Sequence, residues 1–67
     1  MTLIEYFKEE PRGAILEMAQ HLGISATWMS LLIHKKRQAG AELSIRIEKA
    51  TQGLVSRQDL RPDLFVL

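Results

Sequence analysis

Within four residues, Leu22-Gly23-Ile24-Ser25, the chain stops one helix and starts another. Upstream, Ile15, Met18, Ala19 and Leu22 recur at i, i+3, i+4 and i+7, the period of a half-buried helix. Gly23 then stands where a helix terminates in left-handed backbone, a conformation that costs glycine nothing. Ser25 is the N-cap of the following helix, in which Met29, Leu32 and Ile33 repeat at i, i+3 and i+4 and face inward. A connection this short makes the two helices cross steeply. Ala19 is small enough to let their axes approach, and Ile24 plugs the turn into the core.

The same punctuation divides the rest of the chain. Thr2 and Glu5 form an S/T-x-x-E capping box ahead of the apolar stripe Leu3, Ile4 and Phe7. Pro11 ends that helix by disfavouring helical backbone at Glu10. A second helix runs from about Arg12 or Gly13 to Leu22, and a third from about Ala26 to His34. Lys35, Lys36, Arg37, Gln38, Ala39 and Gly40 read as a basic loop. A fourth helix covers about Ala41 to Gln52, with Leu43, Ile47 and Ala50 as its stripe and Gly53 as its stop. Ser56 and Asp59 can form a second capping box over a last short turn that Pro62 ends. No stretch alternates as a strand does. The expected fold is all-α, a compact bundle of four to five short helices containing a helix-turn-helix, in one domain spanning residues 1–67.

Composition narrows the function. The 67 residues carry 9 Lys plus Arg against 8 Asp plus Glu, 46% hydrophobic residues and no cysteine. Without cysteine there is neither a disulfide framework nor a thiolate metal site. His21 and His34 stand alone, so no metal is expected, and no residue set points to a cofactor or small-molecule ligand. No apolar run reaches the ~20 residues of a membrane span and no signal peptide is evident, so the expected location is cytoplasmic, away from any membrane. A chain this short has little room for the ~300 Å³ of an ordinary substrate pocket. It carries no triad and no phosphate loop, and is expected not to be an enzyme.

A helix held clear of the body by a tight turn can enter the major groove of duplex DNA. An ordinary αα corner accounts for Met18, Leu22 and Leu32 equally well. It does not account for polar Thr27 and Ser30 beside Lys35, Lys36 and Arg37. Those three cations directly follow the third helix, whereas residues 1–20 hold Lys8 and Arg12 against Glu5, Glu9, Glu10 and Glu17. A nearly neutral chain is therefore electrically polarised.

Leu22-Gly23-Ile24-Ser25 with Trp28-Met29-Ser30 resembles the Cro/CI-type, lambda-repressor-like helix-turn-helix regulators. Ile47-Glu48-Lys49-Ala50-Thr51-Gln52-Gly53, with Val55-Ser56-Arg57 and Leu60-Arg61-Pro62-Asp63, is similar to a signature of the YdaS-like Cro proteins, phage-derived repressors sometimes labelled antitoxins. Together these blocks cover roughly residues 12–64. The resemblance implies five helices, a homodimer on a palindromic duplex operator, and transcriptional repression. Two positions depart from it: Ile15 replaces a phosphate-contacting glutamine, and Leu31 stands where a polar residue is usual.

Ala26, Thr27, Ser30 and Leu31 match the groove-facing positions. Thr27 and Ser30 can bond several bases, while Ala26 and Leu31 can pack on thymine methyl groups; burial against the loop or a partner is the competing reading of Leu31. Arg12, Ser25, Trp28, Lys35, Lys36 and Arg37 are candidate phosphate contacts. Ser25 is first a helix cap, and Trp28 reads equally as an aromatic bracing the motif. Arg46 is a weaker phosphate candidate, since it can instead pair with Glu42 one turn before it. The apolar tail Leu64, Phe65, Val66 and Leu67 is the candidate dimer contact or a cap on the monomer core. The other functional class is an antitoxin-like module that binds a partner protein through that tail.

Overall fold

Thr2 opens the first helix through the reciprocal bonds its sequence predicts. Its hydroxyl accepts the Glu5 N–H at 3.3 Å, and a Glu5 carboxylate oxygen accepts the Thr2 N–H at 2.9 Å. The computed structural model describes residues 1–11 and 13–65, so the expectations placed on Arg12, Val66 and Leu67 fall outside the described residues. Those residues form five helices and no strand: α1 (Leu3–Lys8), α2 (Ala14–Leu22), α3 (Ala26–Ile33), α4 (Ala41–Ala50) and α5 (Arg57–Leu60). The architecture is the expected all-α bundle. None of these helices is long and apolar enough to cross a membrane.

The core gathers at the centre of α2, α3 and α4. α2 packs on α3 and α4, α1 packs on α3, and α4 packs on α5. Leu22, Met29, Ile47 and Val55 are buried side chains at this junction, with Ala19 fully covered as a small residue at a helix contact should be. Leu3, Leu32, Ile33 and Ala39 complete the cluster, and Ile24 packs half-buried against it.

Two apolar positions in the expected stripes lie outside the core. In α1 the covered positions are Leu3, Tyr6 and Phe7, the rings of the last two meeting edge to face at 5.1 Å, while Ile4 is exposed. The i, i+3, i+4 set starting at Leu3 is covered, and Ile4 points off its edge. In α2 complete burial is confined to Ala19 and Leu22, so the first turn stands out of the core and leaves Ile15 and Leu16 exposed.

α4 ends two residues before its expected limit because Thr51 is its cap and Gln52 turns left-handed at φ 56°. The Gly53 N–H then reaches back to the Glu48 carbonyl at 2.8 Å, and the Gln52 N–H to Lys49 at 3.1 Å. Thr51 is 2% exposed. Its hydroxyl donates toward the Ile47 carbonyl at 3.0 Å and accepts the Val55 N–H at 3.1 Å, tying the end of α4 to the entry of α5. Ser44, also buried, donates to the Gly40 carbonyl at 2.8 Å. Buried polar groups in a bundle this small are tolerable only when bonded, and both of these are. At α5 the predicted second capping box is present, Ser56 accepting the Asp59 N–H and Asp59 accepting the Ser56 N–H, each at 3.1 Å.

Candidate nucleic-acid interface

The turn between α2 and α3 is built from backbone bonds. The Ile24 N–H donates to the Ala19 carbonyl at 2.9 Å and the Gly23 N–H to Gln20 at 3.2 Å, with Gly23 at φ 74°. This bond pair is a Schellman motif, which satisfies the last carbonyls of a helix while reversing the chain. Ser25 then takes extended backbone, and its hydroxyl accepts the Trp28 N–H at 3.0 Å. The predicted stop and start are thus both realised, and they fix the rotation of α3 about its own axis.

That rotation decides which side chains α3 presents. Met29, Leu32 and Ile33 are buried, while Ala26, Thr27 and Ser30 are exposed. The last three are spaced three and four residues apart from Ser30 back and so share one helix face. Leu31 is half-buried at the margin of this face. Trp28 is 36% exposed, an amphipathic side chain with one flank against the protein.

α3 ends in a second Schellman motif, with a lysine where glycine is usual. The Lys36 N–H donates to the Leu31 carbonyl at 2.9 Å and the Lys35 N–H to Leu32 at 3.2 Å, and Lys35 holds φ 59°. Left-handed backbone costs a residue with a Cβ roughly 1–2 kcal/mol. The turn throws Lys35, Lys36 and Arg37 outward at the C-terminal end of α3, all three exposed. Among the described residues none of the three is in an ion pair.

Arg46, Arg57 and Arg61 are each bonded within the fold. Arg57 bonds Glu48 through Nε at 2.8 Å and Nη2 at 2.7 Å, and stacks over the Phe65 ring at 5.6 Å. The Arg57 guanidinium and backbone N–H, both bonded to Glu48, hold its carboxyl below the usual carboxylate range. Arg61 grips Asp63 with two bonds of 2.9 and 2.7 Å and donates to the Ala39 carbonyl at 3.0 Å. This pairing lowers the Asp63 carboxyl and raises the Arg61 guanidinium. Arg46 does not pair with Glu42 as its spacing allowed. Its Nη2 donates to the Leu22 carbonyl at 2.7 Å, supplying a cation to the orphan carbonyls at the end of α2.

Arg46, Glu48, Thr51 and Arg61 make bonds within the fold that residue spacing alone did not predict. Arg46 bonds the Leu22 carbonyl at the end of α2, ahead of α3, and Arg61 bonds the Ala39 carbonyl in the loop that follows α3. Of the tail, Leu64 is exposed and Phe65 half-buried under Arg57.

Compared with known proteins, residues 9–66 match the model of a family described as bacterial toxin YdaS. No curated protein matches the chain.

Proposed function

The chain belongs to the bacterial toxin YdaS family, and within it we propose that this protein binds duplex DNA in sequence-specific fashion and represses transcription by covering promoter DNA, without catalysis. One observation carries the reading: the exposed polar face of α3 leads directly into three exposed cations that form no ion pair among the described residues, while Arg46, Arg57 and Arg61 are engaged internally. Thr27 and Ser30 bond base edges in the major groove, and Ala26 and Leu31 meet thymine methyl groups there. Lys35, Lys36 and Arg37 contact phosphates and set register without reading sequence. Ser25 and the flank of Trp28 add phosphate contacts at the start of α3.

One helix per chain covers too little DNA for tight specific binding, so the reading includes a homodimer whose two copies of α3 lie ~34 Å apart on a palindromic operator. The family description names a toxin, and occlusion of host promoters is one route by which a DNA-binding protein harms a cell.

The experiment is a titration of duplex DNA across a series of salt concentrations, with the protein intact and with Lys35, Lys36 and Arg37 replaced by alanine. Each phosphate contact contributes about 0.9 to the slope of log affinity against log salt. Loss of all three should flatten the slope by up to about 2.7. Folded protein that binds no duplex at low salt overturns the reading. It favours instead a protein-interaction module, for which Leu54 and Leu64 are among the exposed apolar side chains.

A further inference from the structure

The geometry points to a ligand site between the α3–α4 loop and α5: a cleft that takes a small amphipathic carboxylate, one –COO⁻ group on an alkyl or aryl body. Its volume is about 280 Å³, just under the ~300 Å³ at which pockets begin to hold drug-sized ligands. Half-buried Leu60 supplies apolar wall over the edges of the core residues Leu32 and Ile33, and Lys35 and Arg37 also line the space. An apolar cavity with a few convergent polar groups is the ordinary form of a small-molecule site.

The charges select the ligand class. Asp59 is the carboxylate among the lining residues, and its Oδ2 already accepts from the Met1 ammonium at 2.9 Å and from the Ser56 N–H at 3.1 Å. Its charge is therefore compensated locally, and the field that remains comes from Lys35 and Arg37. A guanidinium binds a carboxylate through paired bonds. A bare inorganic anion leaves the apolar wall uncovered, and a neutral ligand gains no charge-assisted bond from the two exposed cations. An amphipathic carboxylate satisfies the two requirements together.

Lys35 and Arg37 are also the residues assigned above to phosphate, so an occupant here competes with DNA for the same charges. That consequence rests on the DNA-binding reading; the site itself does not.

The test uses octanoate, octan-1-ol and acetate in separate amide NMR titrations of the whole chain without DNA. Octanoate should bind saturably and shift the amides of Ile33, Ala39 and Leu60, with octan-1-ol and acetate weaker by about tenfold or more, as expected when a charge-assisted bond or the apolar contact is lost. Replacing Lys35 and Arg37 together by alanine should weaken octanoate to a similar degree. Gln38→Trp, at an exposed position on the lining, should fill the cleft and abolish binding while the chain stays folded. Equal binding of octan-1-ol, shifts centred elsewhere, or octanoate affinity unchanged in the double variant overturns the site. A DNA titration at saturating octanoate then tests competition, and unchanged DNA affinity refutes it. If the protein binds no DNA at all, the DNA reading fails by itself and the octanoate titration still decides the site.

Discussion

Lys35 is held in a backbone conformation that suits glycine, which sets stability against the work proposed for its charge. Lys35→Gly removes a left-handed Cβ residue at φ 59°, worth roughly 1–2 kcal/mol. The added freedom of glycine in the unfolded chain returns roughly 0.5–1 kcal/mol of that. The variant should therefore be more stable by about 0.5–1 kcal/mol, raising Tm by about 2–8 °C in a domain of this size. Gln52→Gly is the matched control. Gln52 sits at φ 56° after α4 with the same two back-bonds, is exposed, and has no place in the proposed interface. Both variants should gain similar stability by thermal unfolding followed at the helical circular dichroism band. Only Lys35→Gly should weaken DNA, with a salt slope shallower by about 0.9, the loss of one phosphate contact. If Lys35→Gly is less stable than the parent while Gln52→Gly is more so, the strain argument is wrong for this turn. If it gains stability and binds DNA with unchanged affinity and slope, Lys35 makes no phosphate contact.

Three further outcomes follow from the C-terminal half. Thr51→Val keeps the shape of the side chain but strands the buried Val55 N–H, and should cost about 1–3 kcal/mol by urea unfolding. Thr51→Ser, which keeps the hydroxyl, should lose less, and the reverse order would sink the assignment. Glu48, whose carboxyl is lowered chiefly by the Arg57 side-chain hydrogen bond, stabilises the fold above its unfolded value of about 4.3, and this is lost as pH falls through its lower folded value. The stability difference between the parent and Glu48→Gln should thus be steady near neutrality and shrink in acid; a difference undiminished in acid would contradict the pairing. Leu64→Glu, at a 49% exposed position, should leave Tm nearly unchanged and lower the cooperativity of operator binding; undiminished cooperativity in a folded variant would remove Leu64 from the dimer contact.

What could be read in the sequence was written locally. Thr2 with Glu5, Ser56 with Asp59, and Gly23 followed by Ser25 each complete a cap or a stop within a few residues, and each is realised in the structure. Periodicity was a weaker guide. Leu3, Ile4 and Phe7 satisfy a helical stripe, but only packing decides that Ile4 falls off its edge, and Ile15 belongs to a turn of α2 that leaves the core. The stop at Lys35 carried no glycine to announce it, so the residues after α3 read as a loop of unspecified shape. Least legible were the arginines, because Arg46 and Arg61 bond backbone carbonyls of Leu22 and Ala39, partners 24 and 22 residues away that no side-chain pattern records. That omission matters for function. Counted along the chain, nine cations nearly cancel eight carboxylates, a less emphatic sign of a nucleic-acid partner than a strongly basic balance. The fold changes the count that a phosphate would meet, since it draws Arg46, Arg57 and Arg61 into internal bonds and leaves Lys35, Lys36 and Arg37 exposed at the end of α3. Local charge beside a presented helix, rather than net charge, is the quantity that favours DNA here, because exposed charges more than ~10 Å apart are largely screened at ordinary salt.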